Sequence, residues 1–319
     1  MRCPSRPSIP FHPRVFVGFV SLFTLAGCGG AEGVGDAVIL LESEESILSG
    51  IASGPELENI QDGWNVTFDK YVVSIGNVSL ARSSHPGVAE TSDDVLVVDL
   101  TAVPTGVTLT RFSGIDAGRW DRVSYEATPP TEAATRDGSV DPEDFDDMVA
   151  NGWTHLVEGT LLEAQAGTGQ SCPPGGVCVP APSVAFRFAL AAPARFSNCE
   201  SKDAAQGGFT VPREGTTTQS ATLHGDHVFF DAFIGGAEVV RRQAQWLADS
   251  DIDGNANVDV GELESIGLTA LPILFPPSDY NLSGSPVLPF DSADDWVVSQ
   301  LSTQGHWNGE GECVWALLP

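Results

Sequence analysis

Between Asp251 and Glu262 the chain sets oxygen-bearing side chains at nearly every second position: Asp251, Asp253, Asn255, Asn257, Asp259 and Glu262. A hard dication such as calcium takes about six to eight oxygen ligands, and a loop of about 12 residues supplies them from alternate positions, closing on a bidentate carboxylate. Counted from Asp251, side-chain oxygens fall at the first, third and fifth places. Asn257 would contribute its backbone carbonyl, Asp259 a ligand directly or through water, and Glu262 the closing carboxylate. Val258 holds the place of an apolar residue that pairs with a neighbouring strand. Ala256 stands at the tight turn, where glycine ordinarily supplies a positive φ at no steric cost, so the turn must be strained or differently built. A register starting at Asp249 would bring Gly254 to the turn but puts Val260 where the closing carboxylate belongs. Without a cation the same residues make an acidic, solvated turn ahead of a helix.

A second cluster is nitrogenous. Thr222-Leu223-His224-Gly225-Asp226-His227-Val228-Phe229-Phe230-Asp231 carries two histidines and two aspartates. Imidazole with carboxylate suits zinc, copper or iron. On a regular strand His224 and His227 face opposite ways, and a bulge at Gly225 would bring them to one side. The candidate second metal set is therefore His224, His227 and Asp226, with His306 joining if the C-terminus folds back. The competing reading is a pair of hydrogen-bonded framework histidines around Phe229 and Phe230. His85 and His155 have no carboxylate neighbours and read as structural.

The folding-back depends on cysteines. Cys172, Cys178, Cys199 and Cys313 follow the leader, and in an oxidising compartment pairing is the default. Four cysteines allow three connectivities. Cys172-Pro-Pro-Gly-Gly-Val-Cys178 looks self-closing through its Pro-Gly turn, which leaves Cys199 for Cys313. A thiolate metal site finds no Cys-x-x-Cys spacing to support it.

The oxidising compartment is inferred from residues 1–28. Arg2, Arg6 and Arg14 precede an apolar run, Val15 to Leu25, that is short for a bilayer span. It ends in Leu25-Ala26-Gly27-Cys28, which resembles the lipobox of bacterial lipoproteins. That resemblance implies cleavage before Cys28, lipidation of Cys28 and attachment to a membrane; Gly29-Gly30 after the cysteine implies the outer membrane of the cell envelope. The chain carries 43 acidic against 15 basic residues, a formal net charge of −28. Such a surface repels nucleic acid and anionic headgroups and favours cations.

The elements that must position these residues read as mainly β. Trp64 to Leu80 alternates and is dense in β-branched and aromatic residues, and further strands are expected at Asp94–Leu100, Val107–Phe112, Arg119–Ala127, Thr154–Glu163 and Val184–Leu190. The spacing predicts an antiparallel sandwich or a jelly-roll-like body. Asp141-Pro142-Glu143-Asp144 starts a helix to Asn151, with an N-cap aspartate, proline in the first turn and acids behind it. The C-terminal part reads as α-helical: Glu238 to Leu247 entering the acidic loop, Glu262–Ile266 leaving it, and Ser292–Gln304 after the proline-rich Leu271 to Pro289. Residues 1–27 are thus a signal peptide, 28–62 a lipidated cysteine and tether with a short helix at Ala37–Ser49, 63–233 a β-rich domain starting at Trp64, and 234–319 a helical segment packed on it.

Two family resemblances follow. The spacing at 251–262 is similar to an EF-hand loop. Together with the lipobox, the β body, His224-Gly225-Asp226-His227 and the closing His306-Trp307-Asn308-Gly309-Glu310-Gly311-Glu312-Cys313, it resembles a group of uncharacterised bacterial lipoproteins with EF-hand-like loops. Val72 to Leu80, Asp116-Ala117-Gly118-Arg119-Trp120 and the four cysteines are more distantly similar to the four-cysteine MbnP-like family of exported proteins, which implies copper handling.

The leading expectation is an exported, lipid-anchored calcium-binding protein with a structural role or a surface-binding role toward a cell-surface or protein partner. The alternative is copper or zinc handling at His224 and His227. An extracellular hydrolase is third: no Gly-x-Ser-x-Gly, His-Glu-x-x-His or phosphate loop occurs, and abundant acids in so acidic a chain say little. No enzyme activity is assigned.

Overall fold

A computed structural model describes residues 33–164, 181–200, 207–233 and 239–319. Cys28, the leader and the Cys172–Cys178 loop lie outside the described residues. From Gly33 to Pro319 the chain forms one compact unit.

In chain order the strands are β1 (Val34–Ser43), β2 (Trp64–Ala81), β3 (Ala89–Asp99), β4 (Val107–Asp116), β5 (Gly118–Trp120), β6 (Arg122–Ala127), β7 (Thr135–Arg136), β8 (His155–Glu163), β9 (Ser183–Leu190), β10 (Ala194–Ser197), β11 (Phe209–Val211), β12 (Thr216–Leu223), β13 (Asn257–Asp259), β14 (Gly305–Trp307), β15 (Gly311–Glu312) and β16 (Val314–Leu317). The helices are α1 (Glu45–Ser49), α2 (Pro142–Asn151), α3 (Gln245–Ala248), α4 (Val260–Ser265), α5 (Leu271–Leu274) and α6 (Asp294–Leu301). The protein is mainly β, as its alternating pattern predicts, and it is built as a sandwich. One sheet runs β15-β14-β12-β1-β4; the other centres on β9-β8-β2-β6-β10. Most neighbours are antiparallel, but β1 lies parallel to β12 and β13 parallel to β9.

The inward faces of the two sheets share one core. Ala37, Ile39 and Leu41 of β1 and Trp307 of β14 belong to the same buried cluster as Tyr71, Val73 and Ile75 of β2 and Phe186 and Phe188 of β9. Helix α2 covers the other face of the large sheet, where Met148 packs with Val72, Val97, Leu156 and Ala189. Its start follows the sequence: Asp141 is extended at the N-cap, Pro142 opens the helix and Gly152 closes it in the left-handed conformation.

Two expectations are corrected. The folded body does not wait for Trp64, and Ala37–Ser49 is not one helix inside a tether. Residues 34–43 are a strand between β4 and β12, and only Glu45–Ser49 is helical. The run Ala37-Val38-Ile39-Leu40-Leu41 is apolar at every position although only Ala37, Ile39 and Leu41 face the shared core, and such a run has no period to separate strand from helix. The expected long helix entering the acidic loop is also absent as such: residues 239–244 are non-helical and α3 spans Gln245–Ala248. There Arg242 forms bridges with Ile60 and Phe230, while Asp231 accepts from the Arg241 N–H and guanidinium, both at 2.8 Å. Those pairings hold the backbone extended against its helical pattern. Among the described residues no helix is long and apolar enough to cross a membrane.

Candidate metal centre

β12 delivers His224. The strand ends at Leu223, and Gly225–Phe229 then winds into a 3₁₀ turn. In such a turn side chains three apart eclipse one another, so His224 and His227 come to the same side without the bulge expected at Gly225. Gly225 matters for packing instead. A Cβ there would stand 2.6 Å from Ile47 Cγ1 of α1, so glycine lets α1 press against the turn. β14 delivers His306 from the far end of the chain, pairing its position with Thr222. The Cys199–Cys313 disulfide ties the following strand back, as its cysteine spacing suggests. Tyr125 donates to the His306 carbonyl at 2.7 Å and fixes β14 from the opposite sheet.

One ligand atom each of His224, His227 and His306 lies within 4.8 Å of the others, and all three residues are buried. The rings of His224 and His306 stack at 3.9 Å, and His227 Nε2 lies 3.2 Å from His306 Nε2. Proton positions follow from the surrounding bonds. The Thr303 hydroxyl donates to the Gln300 carbonyl at 2.9 Å, so at 3.0 Å His227 Nδ1 must donate to Thr303 Oγ1. Its Nε2 then carries a lone pair toward His306. His224 donates from Nε2 to the Gly309 carbonyl at 3.2 Å, which leaves its Nδ1 as the free nitrogen. His306 Nδ1 is buried with no hydrogen-bond partner. Burial depresses the His227 pKa well below the ordinary value, helped by His224 and Arg242, and brings that of His306 down to about 2, helped by the two neighbouring histidines. The neutral form is the one that binds metals.

No protein-family model, no curated protein and no solved structure matches this chain. What the site can do therefore rests on its own chemistry. Three buried imidazoles, one oriented through Thr303, form a donor set that suits zinc or copper. A buried orphan nitrogen is costly in an idle framework and needs a reason.

Asp226 takes a different place from the one expected. It does not join the three histidines but groups with His224 and Glu44, a residue that nothing in the sequence pointed to. Arg242 Nε holds Asp226 Oδ2 at 2.8 Å, and the same guanidinium reaches Glu58 at 2.7 Å and the Leu57 carbonyl. His155 is apart, buried between Thr154 and Gln304, with a pKa lowered to about 3 by burial. His85 is exposed.

In the acidic loop Asp251, Asp253 and Glu262 bring carboxylate oxygens together. Asp251 accepts the N–H groups of Gly254, Asn255 and Ala256 at 2.9–3.0 Å. Glu262 reaches back to the N–H of Ile252 at 3.0 Å and that of Asp259 at 3.2 Å. Asp259 is outside that group: its Oδ1 accepts the Glu262 N–H and caps α4. Asn255 bonds locally, its N–H to Asp253 and its Oδ1 from Asn257. Ala256 adopts φ +62°, the left-handed turn of a glycine. Val258 is fully buried and pairs with Phe186 across β13 and β9.

Proposed function

We propose that this chain is an exported, lipid-anchored metal-binding protein whose buried three-histidine centre holds copper or zinc. The observation that carries this reading is the convergence of His224 and His227 with His306 from 79 residues further on, all three buried with ligand nitrogens within reach of one another and one nitrogen, His306 Nδ1, orphaned. The distant likeness to the MbnP-like family favours copper. The lipobox ending at Cys28 favours anchorage at the envelope, facing an oxidising space.

The acidic loop supports a second ion, calcium, in a structural role. Asp251, Asp253 and Glu262 converge, and Ala256 accepts a glycine-like φ to close the turn, the strain expected of a residue bent around a cation. A loop joined to the large sheet through β13 acts as a clamp on the fold and not as a switch.

Elemental analysis of mature protein, before and after chelation, tests both parts. Stoichiometric copper or zinc that His306→Gln lowers well below one equivalent is expected, together with calcium that Glu262→Gln removes. Calcium alone would return the histidines to a framework role. Membrane fractionation of Cys28→Ser, expected to release the chain, tests the anchor.

A further inference from the structure

His224 belongs to two ligand sets. On its inner side are His227 and His306; on its outer side are Glu44 and Asp226, again with one ligand atom of each residue within 4.8 Å of the others. The outer set forms because Gly225 lets α1 close on the 3₁₀ turn, and Glu44 caps that helix by accepting the Ser46 N–H at 2.8 Å. Glu44, Asp226 and Arg242 line an open pocket of about 220 Å³ together with Glu45 and Glu58, so this side meets solvent.

Asp226 is the decisive group. It is 3% exposed, and its Oδ1 is buried with no hydrogen-bond donor, while Oδ2 is taken by Arg242. Oδ1 lies 4.0 Å from His224 Nδ1. Because His224 spends its N–H on Gly309, Nδ1 presents a lone pair, and two acceptors face each other with no protein donor to join them. Metal bonds of about 2.0–2.2 Å to each would bridge such a gap.

We propose that Glu44, His224 and Asp226 form an outer cation position that captures a divalent first-row ion from solution and passes it to the three-histidine centre through His224 Nδ1. The proposal rests on the metal reading of that centre, with which it shares His224. Two carboxylates and one imidazole at the pocket suit an ion that still carries water, whereas the three imidazoles inside suit one that has shed it. As His224 has one free nitrogen, the two positions serve a single ion in turn.

The test uses the full chain freed of transition metal, excess calcium to occupy the acidic loop, and Zn²⁺ as the probe. Wild type should bind one ion. Glu44→Gln keeps an oxygen to cap α1 and should keep that stoichiometry, but its association rate should fall about tenfold or more, within the range by which charged clefts speed capture. Glu45→Gln removes the same charge from the same pocket without touching the ligand set, and should change the rate less than about twofold. His306→Ala, and His227→Ala should the first fail to fold, should retain weaker binding that Glu44→Gln then abolishes. Equal slowing by Glu44→Gln and Glu45→Gln, or no slowing by either, overturns the outer position, as does a folded inner variant that binds nothing. In those cases the inner centre stands. Binding that survives His306→Ala at full strength but is lost in Glu44→Gln would instead sink the three-histidine reading and keep the outer position. A wild type that binds no Zn²⁺ overturns both.

Discussion

The histidine centre and the acidic loop assemble their candidate cation ligands in opposite ways. The loop gathers its charges within a dozen residues and answers each one locally: Asp251 receives three backbone N–H groups, Glu262 reaches back across the turn, and Asp259 caps the next helix. Its ligands run from the buried Asp251 to the exposed Asp253, and the site is as stable as the turn. The histidine centre gathers imidazoles from two distant segments and buries them, so its geometry is only as good as the sandwich around it. A local site can be damaged without harming the fold. A long-range site fails when the fold loosens anywhere between its parts.

The largest expected effect breaks the long-range side alone. The Cys199–Cys313 bridge closes a separation of 114 residues and holds the end of the chain that carries His306. In the chain-entropy model such a loop contributes about 4–5 kcal/mol. Replacing both cysteines by serine should lower urea stability by an amount of that order and weaken transition-metal binding with it, while calcium still raises the melting temperature. Equal damage to both responses would mean the two regions are not independent. Next comes His306→Gln. Removing one of three ligands should cost roughly a hundredfold or more in zinc or copper affinity, given that losing an outer partner of a ligand already costs ~10–100-fold. A competition titration reads the affinity, and the calcium-induced shift in melting temperature should not change.

The same contrast explains what was legible in the sequence. Sites whose parts are neighbours in the chain leave a spacing: the start of α2 and the alternation of β2, β8 and β9 stand where their residues predict, and in the acidic loop Asp251, Asp253 and Glu262 come together while Asp259 caps α4 instead. The pair His224 and His227 was legible, but the device that aligns them was not, since a short 3₁₀ turn after a strand has no pattern distinct from a bulge. His306 could be tied to them only through the inference that Cys199 meets Cys313. Glu44 left no trace, because it is placed by a glycine, Gly225, that packs against its helix from about 180 residues away. β1 was hidden because Ala37 to Leu41 is apolar at every position and so shows no alternation. The helix pattern at 238–247 misled because Asp226 and Asp231 capture Arg242 and Arg241 and hold that stretch extended until α3 begins at Gln245.

On the local side, calcium should stabilise by mass action, by about 2.7 kcal/mol at a hundredfold excess over Kd. Glu262→Gln should remove most of that gain, leaving zinc or copper affinity intact; equal melting curves with calcium and with chelator would reduce the loop to an acidic turn. Acid separates the regions by a smaller step. His155 is neutral when folded, with its pKa near 3 against an ordinary 6.5, so the unfolded chain binds the extra proton between those values. Its contribution is complete above about pH 6.5 and is lost as the pH falls toward 3, at up to ~1.4 kcal/mol per pH unit. Urea melts of chelated protein between pH 7 and pH 5 should show that decline together with the contributions of His227 and His306, and His155→Gln should make it shallower by up to ~1.4 kcal/mol per pH unit. An unchanged slope in that variant would assign the acid sensitivity elsewhere.

The smallest effect sharpens the comparison most, because it changes one methyl group in the loop. Ala256 holds φ +62°, where a Cβ crowds the following carbonyl at a cost of about 1–2 kcal/mol. Glycine removes the crowding but adds freedom to the unfolded chain, which returns roughly 0.5–1 kcal/mol of the gain. The net for Ala256→Gly is therefore a stabilisation of about 0.5–1 kcal/mol in the turn, felt as calcium binding tightened roughly two- to fivefold. Calcium titration by calorimetry measures it, and transition-metal binding serves as the control that should not move. Weaker binding in the variant would show that the alanine rigidifies the turn more than it strains it, and the loop's order, like that of the histidine centre, would then owe more to restraint from its surroundings than to local geometry.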